Sequence, residues 1–163
     1  MFDAFLKIDG IDGESTADKH EKWIELLAFE TGLSQPASAS KSSAGGATSA
    51  RADFNDFTIE KTLDIATPLI AVTCAKGEHI AEITIDLCRA GGDEVVTYMQ
   101  YVMKDVIISS VITGGKRDAD FPTETLSFNF AKIEWKYTKQ KRAGGGGAGQ
   151  VTSGWDLGTG RKL

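Results

Sequence analysis

Cysteine, histidine and proline are scarce in this sequence, at two, two and three residues of 163, and each scarcity removes a class of protein. Cys74 and Cys88 form no Cys-x-x-Cys pair, and the two histidines stand far from any four-ligand spacing, so no metal site is expected. A disulfide is formally open to the pair, but two cysteines in a chain long enough for a full core read more simply as buried thiols made in a reducing compartment. Long apolar runs are missing as well. Nothing approaches the ~18 residues of a membrane span, so membrane insertion is not expected. Residues 1–10 alternate apolar and charged side chains without the basic start and apolar stretch of a secretory signal, and no Asn-x-Ser/Thr acceptor occurs. The chain reads as a soluble cytoplasmic product, which would leave the cell only if something other than the general export pathway carried it.

Charge of one sign is not concentrated either. The formal net charge is -5, with acids and bases interleaved, leaving no basic stripe to neutralise a phosphate backbone and excluding nucleic acid as a partner. The one basic cluster, Lys136, Lys139, Lys141 and Arg142, stands at a strand end beside a glycine run and reads as a solvated edge.

Catalytic patterns are absent in the same way. Gly144, Gly146 and Gly149 match a Gly-x-Gly-x-x-Gly spacing, yet a dinucleotide turn must open a helix, and the residues that follow read as a strand. Thr113-Gly114-Gly115-Lys116 lacks the leading glycine and the trailing Ser or Thr of a phosphate loop and reads as a turn. No serine lies in a Gly-x-Ser-x-Gly elbow, neither cysteine has a nearby histidine to lower its pKa, and Asp93 and Glu94 fall in a turn. No catalytic residue and no cofactor is assigned, and the chain does not read as an enzyme.

What is present is period two. With 41% hydrophobic and 25% charged residues the chain has ordinary globular usage, and its length suits one domain spanning 1–163. Within 79–88, Ala81, Ile83, Ile85 and Leu87 share one face while Glu82, Thr84 and Asp86 share the other, the alternation of a half-buried strand. Segments 2–8, 23–32, 54–61, 94–103, 105–113 and 125–138 are similarly rich in β-branched and aromatic residues, and Val151, Trp155 and Leu157 suggest a last edge strand. The alternation in 125–138 changes phase near Phe130, which implies a bulge or corner and hence a barrel or sandwich. One helix is predicted, with Thr67 as N-cap, Pro68 at its first helical position and Gly77 as its stop, plugging an open end or packing on one face. Residues 35–50, almost all Ser, Ala, Gly and Thr, read as an extended loop, and 143–149 as a glycine hinge.

The order of several pieces is more specific than any one of them. Residues 5–15 (Phe-Leu-Lys-Ile-Asp-Gly-Ile-Asp-Gly-Glu-Ser), Lys22-Trp23-Ile24-Glu25-Leu26, Cys88-Arg89-Ala90-Gly91-Gly92-Asp93, the run 106–115 and Glu124-Thr125-Leu126-Ser127-Phe128-Asn129-Phe130 together resemble the haemolysin-coregulated protein family, Hcp, of type VI secretion systems. The resemblance spans 2–157. It implies a mainly β fold, a barrel of two antiparallel sheets with one short flanking helix, and assembly as a homohexameric ring whose rings stack into a hollow tube. It further implies partners: a VgrG spike, a contractile sheath with its baseplate, and effector cargo in the lumen, with export that needs no signal peptide.

On that expectation the stacking loop is 35–50, with Gln35, Ser38, Ser40, Lys41, Ser43 and Thr48 as contact candidates, and its unusual Ser/Ala content predicts tubes only when templated or crowded. Alternation on 23–32 makes Glu30 a candidate to face the lumen. The segment 106–112 is apolar on both faces, with Val106 and Ile108 opposing Ile107 and Val111; a subunit interface and a strand enclosed within the monomer are both open to it. Two other readings stay open on the residues alone: a phage-like tail tube protein, and a monomeric barrel that binds a small ligand in an apolar cavity.

Overall fold

A computed structural model of the chain describes residues 1–36, 51–91, 94–140 and 147–163. Ser38, Ser40, Lys41, Ser43 and Thr48 of the serine-rich loop, Asp93, and Lys141, Arg142, Gly144 and Gly146 near the glycine run lie outside these residues. In chain order the elements are β1 (Asp3–Ile8), β2 (Ile24–Leu26), β3 (Ala28–Glu30), β4 (Leu33–Ser34), β5 (Asp53–Phe54), β6 (Phe57–Thr62), α1 (Thr67–Lys76), β7 (Ile80–Gly91), β8 (Glu94–Gly114), β9 (Thr123–Gln140), β10 (Gly147–Asp156) and β11 (Arg161–Lys162).

All the strand pairings are antiparallel, and they close a circuit. β1 pairs β7, β7 pairs β8, β8 pairs β9, β9 pairs β6 and β6 pairs β3, while β2, just before β3, returns to β1. Of the barrel and the sandwich that the alternation left open, this is the barrel, as the resemblance implies. β9 branches it, because its first half lies against β6 and its second half against β10, with β8 along its other side. Hence β10 and β11 extend the sheet beyond the closed wall, and β4 and β5 form a separate two-stranded ribbon.

The stretch 23–32, expected as a single strand, is broken at Leu27, whose N–H donates to the Glu60 carbonyl (2.8 Å) and hands the chain from β1 to β6. Conversely 94–103 and 105–113 are one strand of 21 residues. Asp105, with φ 55, bends it without ending it. The phase change predicted near Phe130 is present and crosses three strands. Two solvent-side residues separate inward ones at Ile80/Ile83, Met103/Val106 and Phe130/Ile133, and Glu82 pairs Lys104, which in turn pairs Lys132. A corner at one level in neighbouring strands lets each long strand serve two walls.

Inward residues fill the barrel, with Leu6, Ile24, Phe57, Ile59, Ile83, Ile85, Met103, Leu126 and Phe128 all buried. Among the described residues the interior is packed side chain, and the concavities are surface clefts.

α1 packs against β8, with Ile70 buried in the core and Cys74 beside Ile108. Gly77 stops it in the left-handed conformation (φ 61), its N–H reaching the Cys74 carbonyl at 3.0 Å, as predicted. Its cap differs: Ala66 is the N-cap, and the Thr67 hydroxyl instead accepts from the Asp64 N–H (3.0 Å) and donates to Glu124 (3.0 Å). Thr67 is drawn away by a buried ionic cluster. Lys61, on the inward face of β6, contacts Glu124 of β9, Asp64 (3.0 Å) and the Thr62 carbonyl (2.9 Å).

Candidate functional site: the assembly surfaces

Residues 11–23 fold back over the outer face of β1 and β7 and cover a histidine, a carboxylate and a thiol that resemble a catalytic group. Phe5, pointing away from the main core, stacks on His20 (4.5 Å between centroids), and Trp23 meets the imidazole edge-on. His20 Nε2 lies 2.7 Å from Asp86 Oδ2, while Asp86 Oδ1 accepts from Gln100 (2.8 Å). Cys88 Sγ stands 3.9 Å from the same Nε2 and 3.3 Å from Thr97 Oγ1. A histidine does stand beside Cys88, but the expectation that none lowers a cysteine's pKa is not overturned by it, because the Cys88 thiol is pushed up. A partner 68 residues away in sequence leaves no local spacing to read.

The arrangement does not make a nucleophile. Nε2 donates its proton to the carboxylate, so no lone pair there faces the thiol. Burial pushes the Cys88 thiol up from 9.0; the Thr97 hydroxyl opposes this and the Asp86 charge adds to it. A raised thiol pKa keeps its stabilisation below the unfolded value of 9.0 and loses it as pH rises through the folded value. At pH 8 a maleimide should therefore label half-buried Cys74 in the native protein and Cys88 only on unfolding. Equal native rates would show that the outer layer does not exclude the reagent. Among the described residues no group of three metal-ligating side chains occurs.

The assembly candidates fall in different places. Glu30 is exposed at the end of β3, and with Thr58, Glu60 and Thr125 it lines a shallow cleft of ≈ 150 Å³ on the outer wall. Gln35 lines a larger cleft of ≈ 400 Å³ with Arg51, Phe54, Trp155 and Leu157. The interface reading of Val106 and Ile108 is corrected: both are buried in the monomer's own core. The reason is a bulge at Ser109, which sets Ile108 opposite Phe128 and Val111 opposite Leu126. Val111 thereby returns to the inner face and packs on that core, leaving Ile107 half-buried on the other side. The Ser109 hydroxyl, bonded to Asp56 (2.6 Å), holds the bulge from outside.

Two apolar surfaces that sequence reasoning missed are uncovered instead. Only Ile70 of α1 is buried, while Ile65, Leu69 and Val72 remain 62%, 49% and 46% exposed. The helix pattern was legible, but its apolar residues were expected to be used within the monomer. The second surface is a row across four strands: Leu87 pairs Met99, Met99 pairs Tyr137 and Tyr137 pairs Val151. Directly opposed residues point to one side of a sheet, so the row shares the core face. Exposure nevertheless climbs along it, from 6% at Leu87 to 48% at Tyr137 and 72% at Val151, as it leaves the closed wall.

Comparison with known proteins gives one result. Residues 5–137 match the family described as "Type VI secretion system effector, Hcp". Protein hcp1 of Pseudomonas aeruginosa is 34% identical over 155 residues, covering 95% of this chain and 94% of the relative. A solved structure of a type six secretion system protein superposes with a TM-score of 0.91 at 30% identity, covering 100% of both chains. Hcp1 from Salmonella typhimurium gives 0.79 at 28% identity, covering 99% of each.

Proposed function

Because this chain belongs to the Hcp family and is a tube protein of the type VI secretion system, we propose that six copies close into a ring and that rings stack into a tube ejected by sheath contraction. The observation that carries this reading is the whole-length likeness to hcp1, borne by a barrel whose apolar surface exceeds what its own core uses. A head-to-tail contact between unlike faces closes a ring when its rotation divides the circle. The chain acts as a structural part and turns over no substrate. Its partners in this reading are its own copies, a VgrG spike, the sheath and baseplate, and effector cargo in the lumen. Assembly takes place in the cytoplasm, and the tube leaves by ejection.

Within the tube, the loop of 35–50 reaches the adjacent ring, starting from Gln35 at the mouth of its cleft. The Glu30 wall faces the lumen, where Glu60 adds a second carboxylate, so sixfold repetition gives an acidic ring that favours basic cargo surfaces. Light scattering on the purified protein should give the mass of six subunits, with ring images from the same sample by negative-stain microscopy. A single-subunit mass at high concentration would overturn the ring. Glu30→Lys should keep the ring mass while weakening retention of a basic cargo at low salt, and unchanged retention would remove Glu30 from the lumen.

A further inference from the structure

We propose that α1 of one copy seats on the uncovered row of β9 and β10 in the next copy, and that this contact closes the ring. The inference rests on the ring reading above and names the two surfaces that reading requires.

Ile65, Leu69 and Val72 follow one another at spacings of four and three residues, which places them along one face of the helix and its entry. The only charged residue of α1 is Lys76, in its last turn. A helix facing water ordinarily carries charge on its outer face; here that face is apolar and awaits a cover. The row that ends in Tyr137 and Val151 is the sheet counterpart. It continues the core face past barrel closure, so its chemistry is that of a buried wall although among the described residues nothing covers Val151, at 72% exposure.

Their positions fit a head-to-tail joint. α1 packs beside the later half of β8, where the Cys74 thiol donates to the Ile108 carbonyl (3.5 Å). The uncovered row crosses the earlier half of β8, at Met99, and the far end of β9, at Tyr137. The two surfaces therefore sit toward opposite ends of the same pair of long strands. An unrelated protein or a lipid surface would account for one of them. A second copy of this chain accounts for both, since each copy offers a helix to one neighbour and a sheet to the other, the ordinary layering of helix on sheet.

The test uses two variants of the full chain, Leu69→Asp with Val72→Asp, and Val151→Asp. Each alone should fall from ring mass to one subunit while keeping its β circular-dichroism signal. Mixed in equal amounts they should give two subunits, because each partner keeps the face the other lost. Ring mass in either variant, or single subunits in the mixture, would overturn the proposal. A single-subunit mass for the unaltered chain would instead overturn the ring itself. A variant pair that preserves apolar packing guards against misfolding: Val72→Cys with Val151→Cys, in a Cys74→Ser background, should cross-link on oxidation into a ladder of covalent multimers. Rings that oxidise without any cross-link would reject the contact.

Discussion

Lys61→Met lowers the unfolding free energy by about 3–5 kcal/mol, the range for removing one partner of a buried ion pair. Its ammonium is enclosed at the barrel end beside two carboxylates, Glu124, which is buried, and Asp64, 3.0 Å away. Without it, Glu124 keeps only the Thr67 hydroxyl among the partners described for Oε1, and Oε2 has none among the described residues. The charge then stays in a low-dielectric site or the group takes up a proton, and either outcome is unfavourable. Methionine fills much of the lysine's volume, so the loss reports charge and not a cavity. Pairing it with Glu124→Leu removes the stranded carboxylate and should recover most of the loss, by the asymmetry between breaking a pair and replacing it. Chemical denaturation of both variants decides the matter. Equal losses in the single and double variants would mean that packing, and not charge, holds α1 on the barrel.

Gly13→Ala has the next largest effect, and for a steric reason. A Cβ there would stand 2.5 Å from the Trp23 carbonyl oxygen and 2.7 Å from Ile24 Cγ1. Backbone cannot rotate out of the way as a side-chain tip can, so the outer layer must lift from β1. Overpacking of this kind costs about 1–3 kcal/mol and sometimes more. The Gly13 N–H bond to the Lys22 carbonyl (2.7 Å) fixes the same two segments together and leaves little room to yield. Gly10→Ala makes the control. Its φ of 84 strains any side chain, yet nothing lies within 4 Å of the added atom. Gly13→Ala should also speed maleimide labelling of Cys88, because residues 11–23 form its cover. Cys88 labelling as slow as in the unaltered protein would show the cover intact and the clash absorbed elsewhere.

Much of the barrel was legible because alternation is a local signal. Ile83, Ile85 and Leu87 face inward as read, whereas Ala81, read onto the same face, is exposed because the corner shifts the phase between Ile80 and Ile83; the switch near Phe130 correctly implied that corner. Where the reading failed, the deciding interaction lay far away in sequence. Lys104 and Asp105 interrupt the alternation and look like a turn between two strands, but Asp105 takes a positive φ and the strand runs on. Leu27 looks like the middle of a strand because nothing local marks the exchange of β1 for β6. For Val106 and Ile108 an interface and an enclosed strand were both open, and the structure decides for the core, with a bulge at Ser109, invisible in composition, placing Val111 on their side. Lys61 and Glu124, 63 positions apart, would each be expected at the surface alone. The assembly surfaces divide on the same line: Glu30 has the parity of buried Ile24 and is exposed only because the strand breaks at Leu27, and the uncovered faces emerge only once the barrel has taken what it needs.

The branching of β9 also sets an order on the making of this protein. β1 begins at residue 3 and pairs early with short β2 but waits for β7 on its other side; β3 waits for β6; and both lines of pairing meet only at β9, which begins at residue 123. A growing chain therefore leaves the ribosome with its first strands made and no wall complete, and such delayed long-range pairing is slow and prone to association. The strand that closes the barrel is also the one that carries Tyr137. The row that would receive a neighbour's helix thus comes into being as the barrel shuts, and an unfinished chain has no seat to offer to a ring.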